Sequence, residues 1–320
     1  MEVTFINVGY GDAMLVQSGG FTLILDGGSA MAEEFRGFPH RIPAAEYLKK
    51  TGVSHIDLLV ITHIHEDHVC GLEAVLDSIP IHEIRVPFSI DIFEGAREVF
   101  PGEGACRSAY LFSEALNSAG RLLKKAKGKG IPVKTLLCGE RLELPGGSSL
   151  YAAAPDRETR ESFEDMLRSV FRQKDPTQML TELDAKSNDA CLVLSIRQGD
   201  IGCLLPGDNC PRNWHRGDIN LIKNENVLKL PHHGQKDSID VDLMKDMPLK
   251  AVITTASSDR RYNSANREVY RALEELHPGV DFLFTDEREY PPYFSRPEGF
   301  QAIKLVMDSG KIHPEFVKIK

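Results

Sequence analysis

The segment Thr62-His63-Ile64-His65-Glu66-Asp67-His68 places four metal-competent side chains, His63, His65, Asp67 and His68, within six residues. Imidazole nitrogen and carboxylate oxygen suit zinc, manganese or iron. In an extended stretch His63 and His65 face the same side, so they can share one ion. Asp67 and His68 turn elsewhere and can hold a second ion a few ångströms away. Two divalent cations so close need negative charge between them, from a carboxylate and a hydroxide. Two later segments offer candidates. In Leu204-Leu205-Pro206-Gly207-Asp208-Asn209, Gly207 lets the chain turn and presents Asp208 at the tip. Val227-Leu228-Lys229-Leu230-Pro231-His232-His233-Gly234 is again an apolar run ending in ligand-type residues, either of which could serve. An Asp after Gly is by itself an ordinary turn former. The weight lies in the joint occurrence at three apolar run ends.

These ligands need strands to deliver them. Ile56 to Ile61 reads as the strand feeding the histidine cluster, after a helix from Pro43 to about Thr51-Gly52. Upstream, Val3 to Val8, Ala13 to Gln17 and Phe21 to Leu25, separated by Gly-rich turns, predict a meander. Downstream, the pattern predicts a short helix over 72–77, a strand over 83–87, a helix over 107–128 and strands over 132–137, 141–144 and 149–153. The charged stretch 156–186 lacks strand patterning and reads as a helical insertion. Strands are expected over 191–196, 202–205, 227–230, 252–255, 282–285 and 302–306, the last closing the chain, with helices over 241–244 and 266–276. Two β-rich halves, each with helices, favour an α/β (α+β) fold: one domain over 1–320, built as a four-layer αββα sandwich.

Composition narrows the function classes. The chain has 320 residues, 42% hydrophobic and 27% charged, as expected of a globular protein with a large core. No apolar span has membrane length and the first residues carry no signal-peptide pattern, so a cytoplasmic protein without membrane contact is expected. The six cysteines (70, 106, 138, 191, 203 and 210) form no Cys-x-x-Cys pair and read as reduced core residues. A net charge of −9 argues against a broad basic face coating nucleic acid. The one basic run, Lys124 to Lys129, reads as a solvated helix end. Pro39-His40, Arg97 and Arg107 lie in the lid-like stretches 28–42 and 88–106 or at their edge, with no recognisable motif.

The chain resembles the metallo-β-lactamase superfamily, whose His-x-His-x-Asp-His signature matches residues 63 to 68. Within it the chain is most similar to the metallo-β-lactamase domain of ComEC-type DNA-uptake proteins. Val8-Gly9-Tyr10-Gly11-Asp12-Ala13, Leu25-Asp26-Gly27-Gly28, the Leu-Pro-Gly-Asp turn and Leu230-Pro231-His232-His233-Gly234 carry that likeness, in order, from residue 3 to at least 286. The resemblance implies that His63 and His65 ligate a first ion, Asp67 and His68 a second, and that Asp208 bridges them. It assigns the last ligand position to His233, and leaves His232 beside the metals or against the substrate. It makes Asp26 a brace behind the metal loop and puts Asp12 at the same end of the sheets. One departure matters. Many relatives carry a further histidine ligand just before the strand at 191–196, where this chain reads Lys186-Ser187-Asn188-Asp189-Ala190. Serine and asparagine are poor zinc ligands, which implies a weaker first site, one preferring manganese, or one recruiting Asp189, with Asn188 left beside the metals or against the substrate. A second departure is Arg261-Tyr262-Asn263-Ser264, where that branch often has a histidine.

The expected function is therefore a hydrolase using water activated by two divalent ions, zinc or manganese, with iron a third option. The expected substrate is a phosphodiester, in nucleic acid or a small molecule. Asp67 and Asp208 are the expected catalytic carboxylates and His232 the proton donor. A Lewis-acid site polarises carbonyl oxygen as well, so a carboxylic ester, thioester, lactam or lactone is the competing substrate class. A non-catalytic metal-binding module competes from another class, though a bridging Asp208 is superfluous in a purely structural site. A di-iron oxygen-reducing site would need a redox partner domain or flavin motif that the sequence lacks.

Overall fold

Along most strands, apolar side chains alternate between two faces, and each face meets a different partner. The computed structural model describes residues 1–287, 289–294, 299–308 and 310–319. Its strands are β1 (Glu2–Ile6), β2 (Met14–Ser18), β3 (Phe21–Leu25), β4 (Ile56–Val60), β5 (Ile81–Val86), β6 (Val133–Thr135), β7 (Arg141–Leu144), β8 (Ser148–Ala154), β9 (Val193–Gln198), β10 (Ile201–Leu205), β11 (Val227–Lys229), β12 (Ala251–Thr254), β13 (Asp281–Phe284), β14 (Ala302–Asp308) and β15 (Lys311–Val317). They form an eight-stranded sheet, β15-β14-β1-β2-β3-β4-β5-β6, and a seven-stranded sheet, β13-β12-β11-β10-β9-β8-β7.

Val3, Phe5, Leu23, Leu25, Leu58 and Val60 of the first sheet pack between the sheets against Leu192, Leu194, Ile196, Cys203, Leu205 and Ile253 of the second. The intervening Ile24 and Leu59 face a helical layer. That layer holds α1 (Ala44–Lys50), α3 (Leu72–Ser78) and α4 (Arg107–Gly128), as well as α5 (Arg157–Val170) and α6 (Thr177–Ser187). On the far side, Val193, Leu204, Leu228 and Val252 meet Trp214, Met244 and Tyr270 from the segment around α7 (Ile219–Ile222) and from α8 (Val241–Met244) and α9 (Arg267–Leu276). Period-two burial on both faces of each sheet makes a four-layer αββα sandwich. Each fully buried Leu, Ile or Phe contributes about 1.5–3 kcal/mol through the apolar surface it removes from water.

Most expected elements lie within a residue or two of their observed bounds, and the differences have physical causes. The histidine cluster is not extended throughout: Glu66 begins a single helical turn, α2 (Glu66–Val69). The chain does not close at residue 306, because β15 follows as an exposed edge strand that contains Pro314 and little apolar sequence. The charged 156–186 stretch is two helices, α5 capped by Asp156 accepting from Thr159 N, and both pack on the first helical layer. All six cysteines are free, but Cys106 and Cys138 are exposed, not core residues. The basic run ends α4, where Lys125 pairs with Asp77 and Lys127 with Glu94. Among the described residues no helix is long and apolar enough to cross a membrane.

Candidate metal centre

Strands β3, β4, β5 and β6 run parallel, as do β10, β11, β12 and β13, so their carboxyl ends gather at one edge of the sandwich. Ligand sites in parallel sheets form at that end. Asp26 follows β3, the histidine cluster follows β4, Asp208 follows β10 and His233 follows β11. Asp12 reaches the same edge from the β1–β2 turn. Gly207 has φ 52°, and a Cβ there would lie 2.5 Å from Cys191 Sγ, so only glycine lets the chain turn Asp208 inward. Gly11 is equally constrained, because a Cβ would lie 2.2 Å from the Asp67 carbonyl.

The ligand-type atoms of Asp67, His68, Asp208 and His233 lie within 4.8 Å of one another, and those of His63, His65 and Asp208 form a second such group. Asp208 belongs to both. Its Oδ1 is 3.4 Å from His68 Nε2, while its Oδ2 is 3.4 Å from His233 Nε2 and 4.0 Å from His63 Nε2. Asp67 Oδ2 lies 3.1 Å from His233 Nε2, and His63 Nε2 lies 3.0 Å from His65 Nδ1.

The other nitrogen of each ring is already held. His63 Nδ1 is 3.0 Å from Thr62 Oγ1, His65 Nε2 3.2 Å from the Asp184 carbonyl, His68 Nδ1 2.9 Å from Asp26 Oδ2 and His233 Nδ1 2.7 Å from the Thr255 carbonyl. Such bonds fix ring orientation and leave the opposite nitrogen for an ion. The inward atoms His68 Nε2, His233 Nε2 and Asp208 Oδ1 are buried without a hydrogen-bond partner. Orphaned donor atoms of this kind fit a metal pair. Asp26 also accepts from Thr62 N at 2.8 Å and Thr62 Oγ1 at 2.6 Å, so one carboxylate ties the end of β4 to His68.

The electrostatics match a cation site. Burial opposes charge on His68, but Asp208 and Asp67 outweigh it and hold its pKa well above the usual histidine range. His233 is pushed up to about 9, the Asp208 carboxylate again overcoming burial. Asp67 and Asp208 are buried yet held low, Asp67 at about 2, by the adjoining histidines. His63 and His65 go the other way: burial, then His68 and His65, hold His63 well below its ordinary value, and burial lowers His65 against the pull of Asp67. Without metal, protons on His68 and His233 therefore sit where cations fit.

Of the remaining expected site residues, Asp12 and His232 border the centre. Asp189 does not reach the centre; its Oδ1 accepts from Asn213 Nδ2 at 2.9 Å and Arg212 Nη2 at 3.1 Å. Asn188 caps the end of α6, and its Oδ1 is buried without a hydrogen-bond partner. Asp184, earlier in α6, approaches instead, its Oδ1 3.6 Å from His65 Nε2. The cleft above the centre, about 370 Å³, is lined by His65, Asp67, Asp184, Asp208 and His232, and by Tyr10, Glu34, Arg107, Phe112, Arg261 and Tyr262. Arg261 pairs with the buried Glu34. The Tyr10 ring packs on His233 with centroids 4.4 Å apart. His232 Nδ1 lies 3.1 Å from Asp237 Oδ1. Beneath the centre, Lys229 is fully buried and donates to the Gly207 carbonyl at 2.9 Å. Tyr10 lies in the Val8-Gly9-Tyr10-Gly11-Asp12-Ala13 motif and Lys229 at the end of an apolar run, but neither residue type signals a site from the sequence.

A family model described as the metallo-beta-lactamase superfamily matches residues 6–153. ComE operon protein 3 of Bacillus subtilis (strain 168) is 23% identical over 298 residues, 89% of this chain. The chain spans only 32% of that relative's length. Among solved structures, isothiocyanate hydrolase from Delia radicum gut bacteria aligns at a TM-score of 0.50 and 13% identity, covering 90% of this chain and 97% of its own. The metallo-beta-lactamase fold protein YhfI from Bacillus subtilis aligns at 0.47 and 12% identity, covering 89% and 96%.

Proposed function

We propose that this chain, a metal-dependent hydrolase of the metallo-β-lactamase superfamily, uses two divalent ions to hydrolyse a phosphodiester. The carrying observation is Asp208, whose carboxylate takes part in both ligand groups. A carboxylate in that position is what a pair of ions needs and what a single closed structural site lacks. His63, His65 and Asp208 would hold one ion, and Asp67, His68, Asp208 and His233 the other. Zinc or manganese suits this nitrogen and oxygen set, and iron is compatible with it. When bound, such a pair supplies hydroxide near neutral pH and Lewis acidity toward phosphoryl oxygen.

The chain's own residues do the rest. Asp208, held in its ionised form, keeps the two halves of the centre at fixed separation. Asp26 and Asp184 lock the rings of His68 and His65 from behind. His232 lines the cleft with Nδ1 held by Asp237, which leaves Nε2 to hand a proton to the leaving oxygen. Arg107 at the lip is exposed and has no ion-pair partner among the described residues, whereas Arg261 is already paired with Glu34 and Asp259. The Arg107 guanidinium over the cleft supports an anionic substrate such as a phosphodiester.

The test is hydrolysis of bis(p-nitrophenyl) phosphate and of DNA with manganese or zinc, with Asp208→Ala as the inactive control. Absence of turnover on both, with turnover of a lactone or thioester, sinks the substrate reading. The apolar wall of Met31, Leu111 and Phe112 favours that second class, since it can take an acyl or aryl group.

A further inference from the structure

Outside the two ligand groups of the centre, a sulfur, a nitrogen and an oxygen ligand converge at a separate point. Cys210, two residues beyond Asp208, lies with Sγ 4.0 Å from His232 Nδ1. The same Nδ1 is 3.1 Å from Asp237 Oδ1 and 3.2 Å from Oδ2. All three donors fall within 4.8 Å of one another. They come from three segments: the turn after β10, the His232-His233 pair after β11, and the short turn Lys236–Ser238 that follows.

We propose that Cys210, His232 and Asp237 form a further metal site that takes zinc beside the two-ion centre. Zinc bound to thiolate, imidazole and carboxylate at about 2.3, 2.0 and 2.1 Å spaces its tetrahedral ligand atoms about 3.4 to 3.6 Å apart. The observed separations of 4.0 and 3.1 Å bracket that spacing, and the sulfur and the carboxylate lie within 4.8 Å of each other. Without an ion the Cys210 thiol donates to the Asp208 carbonyl at 3.6 Å, a contact that its coordination to zinc would replace. Cys210 is 1% exposed, whereas the His232 and Asp237 side chains are 23% and 39% exposed. The buried thiol thus gives the soft ligand on the protein side, and the open side leaves the fourth position to water.

Binding balances simply. The thiol gives up its proton to solvent, the Asp237 carboxylate exchanges its hydrogen bond for a coordination bond, and the imidazole binds through Nδ1 with its proton moved to Nε2. His232 is then held as a neutral ring, so occupancy of this site bears on the one histidine of the cleft that the two-ion centre does not use.

The site is independent of the substrate reading, and metal content tests it. Full-length protein dialysed against excess zinc should retain one more equivalent than Cys210→Ser or Asp237→Asn, while Asp208→Ala should lose the ions of the principal centre and keep this one. With cobalt, a near-ultraviolet thiolate-to-metal absorption should appear in the wild type, disappear in Cys210→Ser and persist in Cys191→Ser, since Cys191 Sγ also lies near Asp208 N, at 3.4 Å. Asp237 is an exposed position, so its variant keeps the test decisive if the buried Cys210 variant misfolds. Equal zinc content in wild type and both variants, or an absorption that follows Cys191, overturns the proposal.

Discussion

Lys229 Nζ lies 2.5 Å from Asp12 Oδ2, and neither side chain has any exposed surface. The ammonium also binds the Gly207 carbonyl and sits 3.8 Å from Asp208 Oδ1, so one cation is shared between two turns that shape the centre. Burial disfavours its charge, but Asp12 and then Asp208 outweigh that and raise its pKa. Asp12 in turn accepts from Thr255 Oγ1 at 2.5 Å.

Removing only one partner of this pair leaves the other charge buried and unpaired. Lys229→Met should destabilise the protein by about 3–5 kcal/mol, measured by urea unfolding. Adding Asp12→Asn to Lys229→Met should recover part of that loss, because the residual charge disappears. A single-variant cost below about 1 kcal/mol would mean that the pair carries no such load.

Behind the ligands, Asp26 and Asp189 separate two readings of the acidic residues near the cluster. Asp26→Asn weakens the grip on His68 Nδ1 and on Thr62, so metal affinity should fall about 10–100-fold with the fold intact. Asp184→Asn should weaken metal binding through His65. Asp189→Ala breaks contacts to Arg212 and Asn213 and should leave metal affinity unchanged. Competition with a chromophoric chelator measures all three, and a loss confined to Asp189→Ala would reverse the assignment.

The raised histidines predict how the metal-free protein responds to pH. His233 is raised from 6.5 to about 9, and His68 is raised well above its ordinary value, so both hold protons in the folded state that the unfolded chain has released. Their contribution is complete below pH 6.5 and is lost as pH rises through the folded values. His63, depressed instead, is neutral in both states above 6.5 and adds no slope there. Metal-stripped protein should therefore show a Tm falling from pH 7 to 9 relative to metal-loaded protein, whose ligand nitrogens carry no proton. Zinc addition at pH 7 should release protons in a pH-stat, and less as pH approaches 9. Parallel Tm profiles for the two forms would contradict the assignment of those protons.

The centre's principal residues were legible because each ligand type stands where an apolar run stops, and in parallel sheets those ends converge. Asp208 stood out because a glycine that can turn the chain precedes it. Lys229 was hidden by the same alternation: in Val227-Leu228-Lys229 a lysine reads as the solvated position, whereas here it shares the parity of Val227, which packs between the sheets. Asp184 was hidden in a charged helix beside Glu182 and Lys186, and Asp189, nearer the apolar strand, drew the attention instead. Strand order was beyond local patterning, since β1 pairs with β14 across the length of the chain. The handing of His65 Nε2 to α6 depends on that same long-range packing.

His232 offers the sharpest test of chemistry as against binding. If its Nε2 protonates the departing oxygen, the need for it grows with the basicity of the leaving group. p-Nitrophenolate departs without help, whereas an alkoxide such as a sugar hydroxyl does not. His232→Asn should therefore leave kcat on bis(p-nitrophenyl) phosphate within a few-fold of wild type. It should lower kcat on an alkyl phosphodiester by about 10²-fold or more. Asp237→Asn, which removes the carboxylate holding Nδ1, should give a smaller loss of the same kind. Equal losses on both substrates would instead mean that His232 supports the metal centre as a whole, a role its neighbour His233 already fills.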